Sequence, residues 1–306
     1  MLRTFTLAIV AALGLAGAAQ AQHAPSLNRQ DCAGIWKEIG LPKAASGVTG
    51  HTTVVCHLGY ITGHNDARKG PNWVVERLTP SLTEGDATRE GRTFHEDKLL
   101  PDKAQAKPAD YDDNGFNFDQ GHNAPAADFS GNQKFLDDTF FLSNSVPQIG
   151  LGFNRSIWRA LENQMRNLVG SNHGVLYVIT GSVWQESKPI KITGDVCGTK
   201  LVLPTVQPVS ICPENHHKKD VKCSAGVAVP AAMFKVVYDP VMQNAFAVLM
   251  ENESHTGRYK KTAPYIEAHR VGIATIEDLT GLRFFSALSA RKRNQIRSNC
   301  VTVKRH

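Results

Sequence analysis

The alternation of apolar and polar positions predicts several strands and one well-defined helix. Short apolar runs bounded by Gly, Pro, Asp or Asn predict strands at residues 54–61, 72–78, 175–180, 233–238 and 245–250. Apolar residues recur at three- and four-residue steps over residues 158–169, which predicts a helix, and a late helix is predicted at residues 276–279. Hairpin-length connections between these elements favour a single α+β domain over a doubly wound parallel sheet. We expect a central, mainly antiparallel sheet flanked by helices.

A long polar segment interrupts this pattern. Residues 80–118 are rich in Asp, Lys and Pro and show no sustained apolar period. Such a composition favours turns and irregular structure over helix or strand. We therefore predict a long surface excursion, and loops of this length inside a domain are often functional.

The N-terminal residues have the pattern of an export signal. Arg3 supplies a positive start, residues 4–19 are largely apolar, and Ala19-Gln20-Ala21 has the small-x-small form of a cleavage site. The apolar run is shorter than the roughly 20 residues of a membrane span, so a retained anchor is the weaker alternative. The pattern predicts a signal peptide at residues 1–21, an N-terminal extension at 22–50, the main domain at 51–306, and a secreted or periplasmic protein without membrane attachment.

Composition and cysteine content narrow the class of protein. The 306 residues are 42% hydrophobic and 20% charged, which excludes wholesale disorder. The net charge of +6 suits a polyanionic partner but is too small to identify one. Six cysteines in an exported chain indicate disulfides, and spacing suggests Cys32 with Cys56 and Cys212 with Cys223 among several open pairings. A zinc site near Cys212 is less favoured than a disulfide-closed loop, because the spacing of its histidines is not that of a zinc motif.

Three short motifs supply residue types suited to metal-assisted hydrolysis. Asp119-Gln120-Gly121-His122 follows a short predicted strand, Leu142-Ser143-Asn144 comes next, and the predicted helix follows Asn154 and contains Glu162. Asn154 and Glu162 are eight residues apart, which leaves them about 80° apart around a helix axis and therefore loosely on one side. A histidine on a hairpin that faces an amide oxygen on a helix can form a one-metal hydrolase, and Mg²⁺ accepts such a small set of protein oxygens.

These motifs resemble the DNA/RNA non-specific endonucleases, an endonuclease G-like family of the ββα-metal (His–metal finger) superfamily. The resemblance includes the strand motif Trp73-Val74-Val75-Glu76 and later blocks at residues 178–181, 229–237 and 276–282. It covers residues 56–285 in the family's order, which makes coincidence a poor explanation. It implies a ββα-metal core in an endonuclease domain at residues 51–306. It also implies hydrolysis of DNA and RNA without sequence preference to 5′-phosphate ends, with Mg²⁺ as cofactor and Mn²⁺ as a substitute; a homodimer stays open.

The resemblance also implies catalytic roles. His122 matches the general base that activates water, Asn154 the direct metal ligand, and Glu162 a carboxylate that hydrogen-bonds a metal-bound water. The transition-state arginine of the preceding loop is assigned to Arg92, with Arg89 as the alternative. Considered alone, Asn154 could merely cap the helix, and Glu162 could be an ordinary solvated residue.

Three further positions support the site or depart from the family. Asn144 and Asp119 match residues that hold the site together. Gln120 stands where the family has Arg, so a charged, bidentate contact to phosphate is lost. Such a loss is worth roughly 1.5–3 kcal/mol, or ten- to a hundredfold in rate. The alternatives are therefore a weak or inactive nucleic-acid-binding relative, and a phosphodiesterase that acts on a smaller substrate.

Overall fold

A seven-stranded antiparallel sheet lies at the centre of the part of the chain that the structure describes. This computed structural model describes residues 32–45, 52–111, 118–184, 190–192, 195–203, 210–211, 226–298 and 300. In chain order, the strands are β1 (Lys43–Ala44), β2 (Thr52–Cys56), β3 (Tyr60–Asn65), β4 (Gly70–Leu78), β5 (Phe118–His122), β6 (Ser145–Ile149), β7 (Leu176–Val183), β8 (Ile190–Ile192), β9 (Leu201–Leu203), β10 (Ser210–Ile211), β11 (Val227–Ala228), β12 (Ala232–Asp239), β13 (Asn244–Glu251), β14 (Arg270–Val271) and β15 (Leu282–Arg283).

The central sheet has the order β14-β13-β12-β7-β4-β3-β2, and every neighbouring pair is antiparallel. This confirms the predicted fold class. Strands β12 and β13 form a hairpin across a turn at residues 240–243, and they extend the strands predicted at 233–238 and 245–250 by one or two residues. Short pairs β1–β15, β5–β6, β8–β9 and β10–β11 lie outside the central sheet.

Two predicted strands have different bounds in the structure. Residues 54–61, predicted as one strand, contribute to β2 and β3, which turn back on each other at residues 57–59. The turn needs Gly59, because a Cβ at that position would lie 2.5 Å from the Phe129 ring. The strand predicted to end before Gly181 continues through it to Val183. Gly181 therefore lies within the strand and does not end it. A glycine is needed there because the Phe234 ring and the Asn72 carbonyl oxygen occupy the space that a side chain would need.

Helices cover both faces of the sheet. They are α1 (Ala33–Trp36), α2 (Pro80–Thr83), α3 (Gln133–Asp138), α4 (Arg159–Leu168), α5 (Thr262–Glu267), α6 (Ile273–Thr280) and α7 (Ala290–Arg297). Helix α4 matches the period predicted over residues 158–169. Helix α6 matches the late helix, and it ends at Gly281 in the left-handed conformation. Over the described residues, none of the helices has the length and apolar character that crossing a membrane requires.

The sheet is buried on both faces because its strands alternate between two apolar clusters. Phe234 and Val236 of β12 pack with α6 and α7, whereas Met233 and Val237 pack against α4. Side chains on a strand point to opposite faces in turn, so adjacent residues serve different cores. Burial of such a side chain contributes about 1.5–3 kcal/mol. A charged residue on these strands is therefore exceptional, and Glu76 and Lys235 are both buried on the α4 side.

The segment predicted as a surface excursion is partly built into the fold. Arg89 and Arg92 are exposed, in agreement with that prediction, but Asp97 and Leu100 are buried. Asp97 Oδ2 accepts a hydrogen bond from the Ser143 hydroxyl and lies 3.2 Å from Nε2 of His57. The prediction of a long surface loop is therefore wrong at the buried positions in the described part of the segment, since paired polar groups cannot be distinguished from solvated ones by composition.

Two disulfides join described cysteines. Cys32 pairs with Cys56, as the spacing suggested, and connects the start of α1 to the end of β2. Cys197 pairs with Cys300 across 103 residues, a pairing that the sequence did not indicate. The suggested partners Cys212 and Cys223 lie outside the described residues.

A kinked segment connects β6 to α4. Residues Gly150–Trp158 are helical except at Leu151 and Gly152, and Gly152 has a φ of 86°. The carbonyl of Gly152 accepts a hydrogen bond from the backbone N–H of His255 (3.2 Å), which ties the kink to the loop after β13. The kink ends directly before Asn154, so it determines where that side chain enters the site.

We expect Gly152→Ala to lower the free energy of unfolding by about 1–3 kcal/mol, because an alanine resists positive φ. Its Cβ would also lie 2.6 Å from the Thr256 hydroxyl oxygen. Denaturant unfolding followed by far-UV circular dichroism measures the change. Gly174→Ala is the matched control, since Gly174 has a φ of 71° but an added Cβ would meet nothing within 4 Å. Equal losses in the two variants would contradict a specific role for the contacts at the kink.

Candidate active site

The hairpin formed by β5 and β6 carries the histidine motif. Asp119 pairs with Gln148, Gly121 with Val146, and His122 with Ser145. The kinked segment and α4 follow β6 directly, so the chain runs strand, strand, helix around these residues. Gly121 is required in β5 because a Cβ there would overlap the Gln148 side chain. Side chains alternate along β5, so Gln120 is on the same side as His122 and opposite to Asp119.

Asp119 holds Asn154 in a defined orientation. Its Oδ2 accepts a hydrogen bond from Asn154 Nδ2 (2.8 Å) and another from Arg155 Nε (2.8 Å). Burial raises the pKa of Asp119, but the hydrogen bonds from Arg155 and Asn154 outweigh this effect and hold it below the ordinary value. An ionised carboxylate only accepts hydrogen bonds, so the amide nitrogen of Asn154 must face it. The amide oxygen Oδ1 is thereby left available as an oxygen ligand.

His122 is a neutral base with an available nitrogen. Its ring lies between Phe94 and Phe140, with centroid distances of 4.6 and 5.2 Å. Burial, and secondarily the positive charge of Arg89, lowers the pKa of His122 to about 3. Nε2 is buried, and among the described residues no group forms a hydrogen bond with it. In the tautomer with the proton on Nδ1, Nε2 carries a lone pair that can accept a proton from water.

Asn144 secures the chain just after His122. Its Nδ2 donates to the carbonyl oxygens of Ala124 and Thr139, both at 2.9 Å, and its Oδ1 accepts from the Ala124 N–H at 2.9 Å. The side chain is fully buried. Both N–H groups of the amide are used in these bonds, so the Asn144 side chain is committed to the backbone and does not face a ligand. It joins the turn after β5 to the turn before β6.

Glu162 lies on α4, above a buried group of charges that the sequence did not predict. Burial raises the pKa of Glu162 to about 7, Lys235 lowers it, and Asp128 raises it. Arg166 forms an ion pair with Asp128, and Lys235 Nζ donates to the Thr180 hydroxyl at 2.7 Å. The signal in the sequence was Lys235, a single charge in the apolar run 233–238. What it could not indicate was which acidic residues lie opposite.

The two candidate arginines have different surroundings. Arg92 Nε donates to Asp137 Oδ1 at 2.8 Å, and this ion pair is exposed. The guanidinium of Arg89 lies 5.7 Å from the centre of the Phe140 ring, which contacts His122 edge-on. The structure therefore brings Arg89, the alternative, near His122 and holds Arg92 on Asp137.

A family model described as DNA/RNA non-specific endonuclease matches residues 41–291. The chain belongs to this family. The endonuclease is 33% identical to the mitochondrial nuclease of Saccharomyces cerevisiae over 254 residues. This aligned region covers 80% of this chain and 70% of the relative. It is 32% identical over 234 residues to nuclease C1 of Cunninghamella echinulata, with 75% and 81% covered. A chain in the crystal structure of an EndoG/EndoGI complex superimposes with a TM-score of 0.64 and 26% identity, covering 86% of this endonuclease and 94% of that chain.

The prediction of a secreted or periplasmic location is contradicted by these comparisons. Relatives of the endonuclease from Saccharomyces cerevisiae, Schizosaccharomyces pombe, Bos taurus and Homo sapiens are named mitochondrial nucleases. They point to mitochondria rather than to export. The leader pattern at residues 1–21 lies outside the described residues, and an apolar run with a cleavage-like motif does not by itself specify the destination.

We expect the stability of the endonuclease to depend on the ionisation of Glu162. The native pKa of about 7 lies above the ordinary value of 4.5, so the native state binds this proton more tightly than the unfolded chain does. The contribution of Glu162 to stability is therefore present below about pH 4.5 and is lost as the pH rises through about 7. Gln cannot ionise. The melting temperature of Glu162→Gln should rise relative to the wild type, by a few degrees, between about pH 5 and pH 8.

Differential scanning fluorimetry across this pH range measures the difference. Glu253→Gln is the control, because Glu253 is half exposed and pairs with Arg258 at the surface. Its difference from the wild type should be flat with pH. If the melting-temperature difference between Glu162→Gln and the wild type is also independent of pH, the proposed link between Glu162 ionisation and stability is wrong.

Proposed function

We propose that this endonuclease hydrolyses phosphodiester bonds of DNA and RNA with His122 as general base and with one Mg²⁺ held by Asn154. The observation that carries the proposal is the neutral imidazole of His122 with an unpartnered nitrogen, on the same strand as the carboxylate that orients Asn154. His122 takes a proton from the attacking water, and the 3′ oxygen leaves, so the phosphate stays on the 5′ end. General-base catalysis of this kind contributes about 10²–10⁴-fold.

The donor set around Asn154 fits Mg²⁺. Asp119 engages the amide nitrogen, which leaves Oδ1 as a neutral oxygen ligand. Mg²⁺ prefers oxygen, keeps several waters and requires few protein ligands. Mn²⁺ accepts the same ligands and is expected to substitute. When bound, the metal would stabilise negative charge on the phosphate and on the departing oxygen.

The remaining residues act on the phosphate and on water. Burial raises the pKa of Glu162 to about 7, so both its ionised and its protonated form are populated near neutral pH. The carboxyl can therefore accept a hydrogen bond from a metal-bound water or donate one to it. Arg89 is our choice for the cation that stabilises the phosphate in the transition state, since its charge already acts on His122. Gln120 lies on the same side of β5 as His122 and can donate a neutral hydrogen bond to phosphate. It lacks the charge of the family's Arg, so we expect turnover below that of relatives with Arg.

A plasmid-nicking assay tests the proposal. Purified protein with Mg²⁺ should convert supercoiled plasmid to open circles and degrade single-stranded RNA, and EDTA should abolish both activities. His122→Ala should lower the rate by about 10²–10⁴-fold, because the proton acceptor is lost, while retention of DNA on a native gel persists. His95→Ala, a change at an exposed histidine outside this site, should retain the wild-type rate.

Two results would change the assignment. Intact plasmid after incubation of wild-type protein with Mg²⁺ or Mn²⁺, together with retained DNA binding, would support the nucleic-acid-binding relative that Gln120 suggests. Faster cleavage of a small dinucleotide diester than of polymer would support the phosphodiesterase alternative.

A pair of arginine variants tests which cation acts on the phosphate. Arg89→Ala should lower kcat by about 10–100-fold, because one charge-assisted contact is lost. It should also move the acidic limb of the pH–rate profile to higher pH, because Arg89 lowers the pKa of His122. Arg92→Ala is the matched change at a surface ion pair, and its effect should stay within about threefold. A larger loss for Arg92→Ala than for Arg89→Ala would reverse the assignment.

A further inference from the structure

Glu251, His255 and His269 form a buried group on the far side of the kinked segment. Glu251 ends β13, His255 lies in the loop that follows, and His269 lies between α5 and β14. Their exposed fractions are 7%, 0% and 6%. One potential ligand atom from each residue lies within 4.8 Å of the other two. The group shares no residue with the candidate active site.

The hydrogen bond of His269 determines its tautomer. Nδ1 lies 2.8 Å from the carbonyl oxygen of Tyr265, which can only accept, so Nδ1 carries the proton. In the neutral ring, Nε2 is then left with a lone pair. It faces Oε2 of Glu251 at 3.8 Å, too far for a hydrogen bond. Among the described residues no group donates a hydrogen bond to this Oε2.

His255 shows the same arrangement. Its Nε2 lies 2.9 Å from the carbonyl oxygen of Glu251 and therefore carries the proton, which leaves the lone pair on Nδ1. The Tyr265 hydroxyl lies 2.7 Å from Nδ1 and donates to it. Burial also lowers the pKa of His255, which favours the neutral ring. Each imidazole is thus held at one nitrogen by a backbone carbonyl, which leaves the lone pair of the neutral ring on the other nitrogen, as is found for histidines that bind metal ions.

We propose that Glu251, His255 and His269 bind one Zn²⁺ ion that is separate from the catalytic Mg²⁺. When the His269 ring is neutral, its lone pair and the buried carboxylate oxygen repel each other, and a cation between them would remove this repulsion. Zn²⁺ takes nitrogen and carboxylate ligands about 2.0–2.2 Å away in a tetrahedron, with ligand atoms about 3.3–3.5 Å apart. The 3.8 Å between Glu251 and His269 needs only a small closure, whereas a separation near the 4.8 Å limit of the group needs a closure of about 1.3–1.5 Å. For His255 to bind the ion through Nδ1, the Tyr265 hydroxyl would have to release this nitrogen, and a water would complete the set.

The chemistry of these ligands separates this ion from the catalytic one. Two imidazole nitrogens favour zinc and related transition metals over Mg²⁺, which prefers oxygen. Arg258, whose charge acts on His255, forms an ion pair with Glu253 at the surface, and Arg270 pairs with Glu267.

A bound Zn²⁺ would stabilise the segment that presents Asn154. The His255 ring packs on Phe153, with centroids 5.7 Å apart, and the His255 N–H binds the carbonyl of Gly152. Phe153 immediately precedes Asn154. The ion would therefore hold the kink from the side opposite to Asp119 and raise the stability of the whole domain.

Zinc binding is measured on the full chain after EDTA treatment and buffer exchange, by isothermal titration with ZnCl₂ in millimolar MgCl₂ and by zinc content after gel filtration. We expect one Zn²⁺ per chain and a rise of a few degrees in the melting temperature. Glu251→Gln and His269→Gln should each bind Zn²⁺ at least about tenfold more weakly and lose the rise in melting temperature. Glu253→Gln should behave as the wild type.

Three controls make the test decisive. The double variant His216→Gln, His217→Gln removes the two histidines that lie between Cys212 and Cys223 in the sequence. It should still bind one Zn²⁺. Co²⁺ should give the visible absorption of a tetrahedral site in the wild type and in Asn154→Ala, but not in His269→Gln. Far-UV circular dichroism shows that each variant is folded, and Mg²⁺-dependent plasmid nicking adds a second check for the variants at Glu251, His269, His216 and His217. Wild-type protein without bound zinc, or zinc lost from the His216, His217 variant and retained by folded His269→Gln, would overturn the proposal.

Discussion

The carboxylate of Asp119 is the interaction on which the geometry of the site depends. It lies on the first strand of the hairpin and accepts hydrogen bonds from Asn154 and Arg155 at the start of the helical segment. Because it can only accept, it selects the nitrogen of the Asn154 amide and leaves the oxygen for a cation. One ionised group thus joins two elements and sets the orientation of the Asn154 amide, the proposed ligand. The Arg155 guanidinium helps keep it ionised at the pH at which the enzyme would act.

Beneath α4, the sheet carries charges that its apolar surroundings would ordinarily exclude. Burial raises the pKa of Glu76, Asp128 and Glu162 alike, and the cations opposite them are Lys235 and Arg166. An unpaired buried charge is strongly destabilising, so a group with more acids than cations keeps part of its carboxyls protonated. For Glu162, burial is the largest cause of the raised pKa of about 7, and the charge of Asp128 adds to it against the opposing cations. A carboxyl that is easily converted between its two forms suits a residue that contacts metal-bound water.

The segment between β6 and α4 is held from two sides. Asp119 accepts a hydrogen bond from Asn154, and the loop at residues 254–256 packs on Gly152. A glycine with positive φ allows the chain to turn sharply between these supports, and any larger residue would strain the turn. The position of Asn154 therefore depends on residues about 100 positions away in the chain. The buried Glu251, His255 and His269 group belongs to this second support.

The sequence by itself determined the class of fold, the main strands and helix α4, because these depend on local apolar periods. It pointed to His122 and Asn154 only through the resemblance of their motifs to those of the family, and their roles stay a proposal. It also indicated the Cys32–Cys56 pair. Only the tertiary structure decided that Arg89, and not Arg92, lies near His122, since both stand in the same irregular loop and differ only in what packs against them. The buried partners of Glu162 and the facing lone pairs of Glu251 and His269 were equally out of reach. Such groups come from strands and loops that are distant in the chain, and their protonation follows from burial, which no local pattern encodes.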